Sequence, residues 1–261
     1  MTSAIAIFDI DGVVRDVGNS YRRALADTVE RFTGGVYRPT ELDIDTLKSE
    51  GVWNNDWEAS QELISRYFRA LGNPIETDYQ EIVTFFQSRY RGEDDNNWTG
   101  YICNEPLLLQ PGYLAELTNA GIPWGFFSGA TRASANYVLS KRLGLQSPLL
   151  IAMEDAPGKP DPTGLFAAVE QLEQQHNLDK MLPVVYIGDT VGDMYTVNKA
   201  RSRFPQRTWI GVGILPPHVQ ATPQRRSDYT KTLMEAGAAI VFSNVQELTP
   251  AEIDRLVLLK V

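Results

Sequence analysis

The stretch "AIAIFDIDGVVRD" (residues 4–16) decides the reading of the fold. Five of the six residues from Ala4 to Asp9 are apolar, and the run ends in Asp9-Ile10-Asp11-Gly12. A short continuous apolar run is predicted to be a strand buried on both faces. In an extended segment residues i and i+2 point to the same side, so Asp9 and Asp11 are expected to face one site while Ile10 faces away. Gly12 then lets the backbone leave sharply. Two like charges so close raise each other's pKa and resist burial, so something must hold them there.

Five more short apolar, β-branched or aromatic runs read as buried strands: Pro123–Ser128, Leu149–Ala152, Val184–Gly188, Thr208–Ile214 and Ala238–Phe242. Helical patterns at Arg132–Gly144, Thr163–His176, Gly192–Arg201 and Pro223–Gly237 separate most of them. Strands alternating with helices predict an α/β fold with a doubly wound, mostly parallel sheet covered on both faces. Such sheets bind ligands outside the carboxyl ends of their strands, which is where Asp9 and Asp11 lie.

More than 110 residues separate the first strand from the second, too many for one crossover. Tyr21, Leu25, Thr28, Val29 and Phe32 recur at helical spacing, as do Trp57, Ile64, Tyr67, Phe68 and Leu71. A third helix is expected over Asp78–Arg91, with Ile82, Phe85 and Phe86 inward. Residues 16–104 are therefore expected to form an inserted helical lobe, and 1–15 with 105–261 the α/β core. The polar, turn-rich "GEDDNNWTG" (residues 92–100) leads back to the core.

Across its 261 residues the chain carries 24 Lys and Arg against 33 Asp and Glu, a formal net charge of −9. That balance argues against a nucleic-acid partner, and no polybasic run suits anionic lipid. The single cysteine, Cys103, excludes an intramolecular disulfide, and the two histidines, His176 and His218, lack zinc-site spacing. There is no basic segment before the first apolar run, and no stretch approaches the roughly 20 apolar residues of a membrane span. A cytoplasmic protein without membrane attachment is expected. Asn97-Trp98-Thr99 matches a glycosylation sequon only formally.

Three further strand ends carry chemistry. Ser128 and Gly129 follow Trp124–Phe127, and a hydroxyl with exposed amides at such a turn suits phosphate oxygens, although Ser-Gly there also serves as a plain turn. Lys159 sits in the stiff "APGKPDP" loop after Leu149–Ala152, placed to neutralise a buried anion. In "VVYIGDTVGDM" a strand ends at Gly188-Asp189, and a helix starting near Thr190 brings Asp193 back toward Asp189. Asp9, Asp11, Asp189 and Asp193 together carry up to −4, and two unit charges 4 Å apart repel by roughly 4 kcal/mol at an effective dielectric near 20. A divalent cation and Lys159 together supply +3, and an all-oxygen donor set with room for water favours Mg2+. The partner expected is a small phosphorylated metabolite.

With "DIDGV", "FFSG", "GKPDP" and "GDTVGD" in this order, the chain resembles the haloacid dehalogenase superfamily along essentially its whole length, specifically the subfamily I phosphatases whose helical cap is inserted between motifs one and two. The resemblance implies a Mg2+-dependent phosphatase that cleaves a phosphate monoester through an aspartyl-phosphate. It implies Asp9 as nucleophile, Asp11 as general acid and base, and Ser128, Gly129 and Lys159 as phosphate-binding groups. It also implies metal binding by Asp9, by Asp11 through its main-chain carbonyl and by Asp189, while Asp193 reaches the ion through water or orients Lys159.

True dehalogenases of the superfamily lack the second Asp of motif one, so Asp11 argues against them. Its hexose-phosphate mutases resemble "FDIDGVVRD" and "LKSEGV", but their cap His and Arg fall on Tyr21 and Asn54 here. A phosphomutase and a catalytically silent binding protein stand as alternatives. In "LKSEGVWNNDW" (residues 47–57), Lys48, Asn54 and Asn55 are the candidate specificity residues, with a cap-core turn in which Trp53 and Trp57 are simply packed as the plain reading. The cap is expected to hinge at Asp11–Asp16 and at Gly92–Asn104.

Overall fold

The first strand, β1 (Ile5–Phe8), alternates Ile5 and Ile7 into one apolar layer and Ala6 and Phe8 into another. The computed structural model describes residues 4–94 and 97–259. Asp95 and Asn96, within the expected second hinge, lie outside the described residues. The other strands are β2 (Trp124–Phe127), β3 (Leu150–Ile151), β4 (Val184–Gly188), β5 (Trp209–Ile214) and β6 (Ile240–Phe242). They form one sheet in the order β3-β2-β1-β4-β5-β6, and every pair is parallel. The chain thus winds outward from β1 in both directions, as the apolar runs predict.

Two compact units emerge, residues 1–16 with 107–261 and residues 17–106. The second unit is helical: α1 (Tyr21–Phe32), α2 (Glu41–Lys48), α3 (Asp56–Ala70) and α4 (Tyr79–Tyr90). Leu25, Val29, Leu63, Ile64, Ile82 and Phe86 form its interior. Asp78 caps α4 by accepting from the Gln80 and Glu81 amides. Leu71, expected on the apolar face of α3, is instead an exposed residue just past its end.

In the sheet unit, α5 (Pro111–Asn119), the short α6 (Arg132–Asn136) and α10 (Pro250–Leu258) are on one face, through Leu114, Ala135, Ile253 and Leu256. On the other are α7 (Thr163–His176) and α8 (Val191–Arg203), through Leu165, Val169, Leu172 and Val197. The remaining helix, α9 (Pro223–Glu235), places Leu233 with Met194 of α8. Helices α5 and α10 were not apparent from apolar periodicity, although each opens with a proline in its first turn and Thr249 caps α10. The helix expected over 132–144 is α6 followed by a π-helical turn, Tyr137–Arg142. Among the described residues no helix is long and apolar enough to cross a membrane.

The segment expected to hinge at Asp11–Asp16 begins as a hydrogen-bonded turn. The Val14 and Arg15 amides both donate to the Ile10 carbonyl, at 2.7 and 3.2 Å, and Val13 and Val14 are buried. Core packing fixes this stretch as far as Arg15, so it is part of the sheet unit.

Gly164, in the first turn of α7, lies against the Phe127 ring, and a Cβ there would overlap ring carbons. Gly164→Ala should gain about 1 kcal/mol of helix propensity but cost about 1–3 kcal/mol in overpacking, a net loss of stability. Urea denaturation measures the sign, and a stabilised variant would show that Phe127 can move aside.

Candidate active site

Four strand ends meet at the carboxyl edge of the sheet. Asp9 follows β1, Ser128 follows β2, the Lys159 loop follows β3 and Asp189 follows β4. Because β1 and β4 are neighbours although far apart in sequence, Asp9 and Asp189 flank the point where the winding reverses. The Asp9 amide donates to the Ile187 carbonyl at 2.8 Å, and the Ser128 amide to that of Ile151 at 3.0 Å, so pairing carries on past the strand ends to both residues.

Lys159, joined to Pro160 by a cis peptide bond, is almost fully buried. Its Nζ lies 2.7 Å from Asp193 Oδ1 and 3.0 Å from Asp9 Oδ1. The rings of Phe127 and Tyr186 stand 5.3 and 5.4 Å from the ammonium. Asp193 is engaged on both oxygens. Oδ1 accepts from Lys159 and, at 3.0 Å, from the Tyr186 hydroxyl, while Oδ2 accepts from the Thr190 amide and hydroxyl at 2.9 and 2.6 Å. The Thr190 amide contact and the Asp193 amide, which donates to the Thr190 hydroxyl at 3.3 Å, together close a capping box at the start of α8, with Thr190 as the cap. This gives Asp193 a structural reason to be there that the sequence reading had not recognised, although Thr190-Val191-Gly192-Asp193 carries the signature. Tyr186, also overlooked, sits on the strand face that carries Val184 toward α7.

Asp9, Asp189 and Asp193 each place an oxygen within 4.8 Å of the others, and all three are buried. Burial, then the neighbouring carboxylates, outweigh Lys159 and push Asp9 up to about 7, and the same influences raise Asp189 well above the carboxylate range. Burial opposes charge on Lys159 too, but Asp193 and Asp9 prevail and hold it protonated. Asp193 goes the other way: despite burial, Lys159 and Thr190 lower its pKa. Burial and Asp193 keep the Tyr186 phenol protonated, hence a donor. One ammonium thus satisfies Asp193 but leaves Asp9 and Asp189 short of positive charge. Their hard oxygen donors fit a divalent cation such as Mg2+. Gly12 supports the fit: a Cβ there would overlap Asp189 Oδ2, so only glycine lets that carboxylate lie against the turn after β1.

Asp11 corrects one expectation. Its carboxylate is not in the three-acid cluster; Arg15 Nε and Nη2 both reach Asp11 Oδ1 at 2.6 Å. A guanidinium four residues on holds it, so Asp11 stands beside the cluster, near enough to raise Asp9 and Asp189, without joining it. The metal role implied for Asp11, through its main-chain carbonyl, does not depend on the side chain. Ser128 Oγ accepts from the Ala130 amide at 3.2 Å, and Gly129 is exposed beside it.

In the helical unit, Lys48 Nζ contacts Asp56 Oδ1 at 2.6 Å and the Asn54 carbonyl at 3.4 Å. Asn55 caps α3 by accepting from the Trp57 amide at 3.0 Å. These contacts tie α2 to α3. Tyr21, at the mutase histidine position, is a core residue stacked 4.0 Å from Tyr90.

Comparison with known proteins agrees with the fold. A phosphonoacetaldehyde hydrolase like protein from Oleispira antarctica superposes with a TM-score of 0.69 at 16% identity, over 98% of this chain and 93% of that one. Phosphatase Tt82 from Thermococcus thioreducens gives 0.59 at 22% identity, over 80% and 92%. An imidazoleglycerol-phosphate dehydratase of Phytophthora nicotianae is 30% identical over 94% of this chain, which spans about half (52%) of that relative's length. The family model for haloacid dehalogenase-like hydrolases matches residues 4–200, and the chain belongs to that family of enzymes.

Proposed function

We propose that the protein is a Mg2+-dependent phosphatase that hydrolyses a small phosphate monoester through an aspartyl-phosphate on Asp9. The observation that carries this reading is Lys159, buried between Asp9 and Asp193 beside the carboxylate of Asp189. Asp9 Oδ1 is occupied by the Ile10 amide at 2.7 Å and by Lys159, which leaves Oδ2 to attack phosphorus. As that bond forms and the ester bond breaks, Asp11 gives a proton to the leaving oxygen. Asp11 then takes a proton from the water that attacks phosphorus and releases Asp9. Ser128, its Oγ already accepting from Ala130, is left with a proton to donate to a phosphoryl oxygen, alongside the Gly129 amide. Lys159 supplies fixed positive charge as negative charge spreads over that group.

Asp9, Asp189 and the main-chain carbonyl of Asp11 would hold Mg2+, which when bound neutralises the acidic cluster and polarises the phosphoryl oxygens. Asp193, with both oxygens hydrogen-bonded, acts by orienting Lys159. Substrate discrimination is assigned to the helical unit, with residues 47–57 as its candidate element. A cytoplasmic location and a small phosphorylated metabolite as partner belong to the same reading.

The deciding experiment is a phosphate-release screen with Mg2+ over sugar, polyol and amino-alcohol phosphates, phosphoglycolate and imidazoleglycerol phosphate. The last is included because the relative from Phytophthora is named for it. Release from one metabolite well above the rest is expected, and EDTA should abolish it. Isomerisation of a sugar phosphate without release would establish a mutase, and silence on every substrate and on p-nitrophenyl phosphate a binding protein.

Metal and proton should compete for the same carboxylates. A carboxyl raised from about 4 to about 7 stabilises the metal-free fold at low pH, and that contribution is lost as pH climbs through about 7. The melting temperature in Mg2+ minus that in EDTA should therefore widen from pH 5 to pH 8. A gap independent of pH would place the ion elsewhere.

The two acids of motif one should separate by leaving group. Asp9→Asn should form no phosphoenzyme and lose turnover altogether. Asp11→Asn should lose about 10²–10⁴-fold on alkyl phosphates and less on p-nitrophenyl phosphate, whose leaving oxygen needs little protonation. Equal losses on both substrates, measured as kcat, would remove the acid role from Asp11.

A further inference from the structure

We propose that Tyr186 is a positioning residue for the phosphatase reaction: its hydroxyl fixes the Asp193 oxygen on which the Lys159 ammonium rests, and so sets where that charge stands against the phosphoryl group. The inference rests on the phosphatase reading above. Tyr186 lies in the middle of β4 and is fully buried. It belongs to the apolar cluster that holds Ile5, Ile7, Leu165 and Val197. A phenylalanine would pack there with the same ring and no polar group to satisfy, and a buried hydroxyl costs stability unless it is hydrogen-bonded. The hydroxyl therefore has a reason beyond packing.

Its contacts supply that reason. The Tyr186 hydroxyl is 3.0 Å from Asp193 Oδ1 and 3.3 Å from the Phe127 carbonyl. A phenol has one proton to give, and the nearer, charged carboxylate is the stronger acceptor, so it donates to Asp193. Lys159 Nζ reaches the same oxygen at 2.7 Å. On the other side of the carboxylate, Thr190 holds Oδ2 through its amide and hydroxyl. Contacts at Oδ2 leave the carboxylate free to pivot about that oxygen and carry Oδ1 with it. Tyr186 stops the pivot, from a central strand rather than from the helix. The ring has a separate part: it stands 5.4 Å from the ammonium, with the Phe127 ring at 5.3 Å, so two aromatic faces flank the charge. Lysine carries a point charge on a flexible stem, and its place is set by what surrounds it. Lys159 also lies 3.0 Å from Asp9 Oδ1. In the phosphatase reaction, however, Asp9 loses its charge on becoming an acyl phosphate, whereas Asp193 keeps its own. Asp193 Oδ1 is thus the anchor that stays constant from the first step to the second. Tyr186, buried beneath it, reaches no substrate and acts only through Asp193 and Lys159.

The test is Tyr186→Phe, which keeps the ring and removes the hydroxyl, assayed with Mg2+ on p-nitrophenyl phosphate. The ammonium is then less well placed for the charge that spreads in the transition state. The value of kcat should fall about tenfold with KM changed less, a smaller loss than the roughly 10²–10³ that follows removal of a donor touching the reacting group. Inhibition constants separate positioning from packing. Orthovanadate, which mimics the expanded coordination of the transferring phosphorus, should bind the variant about tenfold more weakly, and inorganic phosphate about as well as before. An unchanged ratio of the two inhibition constants, whatever the melting temperature does, would overturn the role of Tyr186 and leave the phosphatase reading intact. If Tyr186→Phe lacks a cooperative melting transition, the wild-type hydroxyl proton carries the measurement. It should give a slowly exchanging NMR signal that shifts when vanadate binds, and an absent or unmoved signal would overturn the role. A wild-type protein that releases no phosphate from the ester would overturn both.

Discussion

The ammonium of Lys159 between Asp9 and Asp193 is the contact on which the active edge depends. It draws on three separate parts of the chain: the loop after β3, the end of β1 and the first turn of α8. Remove the charge, and two buried carboxylates face each other with no compensation, at a cost of several kcal/mol. Asp193 has a second duty in the capping box with Thr190, so the position of α8 and the position of the ammonium are set by the same side chain. Tyr186 completes the arrangement from within the sheet, with its hydroxyl on Asp193 at 3.0 Å and 3.3 Å from the Phe127 carbonyl.

The charge balance shows how so many acids are held at one edge of the sheet. Lys159 is held charged by its neighbours, Asp193 is fully matched, and the burden of burial falls on Asp9 and Asp189. Those two residues are the ones with reason to gain from a cation. The protein separates its acids by giving Asp193 a closer lysine contact and a helix cap, while Asp9 shares that lysine and has only the Ile10 amide besides.

Much of this was legible in the sequence. Continuous apolar runs at Ala4–Asp9 and Val184–Gly188 can be satisfied only between helices on both faces, and both became central parallel strands. The helix predicted over Thr163–His176 matches residue for residue, because Leu165, Ala168, Val169 and Leu172 keep helical spacing and Asn177 takes the left-handed conformation that ends it. What escaped depended on side-chain choice within a known backbone. The alternation rule places Asp9 and Asp11 on one side, but it does not reveal that Arg15 turns back and takes the second carboxylate. Tyr186 read as one more apolar strand residue, since periodicity does not register a hydroxyl. Helices α5 and α10 are short and were passed over for want of a long apolar repeat, with capping signals as their only mark.

The contact of Gly12 with Asp189 has a wider consequence. With no Cβ between them, the turn after β1 and the end of β4 are set by backbone against carboxylate rather than by two adjustable side chains. The conformational entropy of bringing these groups together is lost once, when the sheet forms, and not again each time a ligand arrives. A preorganised edge of this kind leaves ligand binding free to order other parts of the chain.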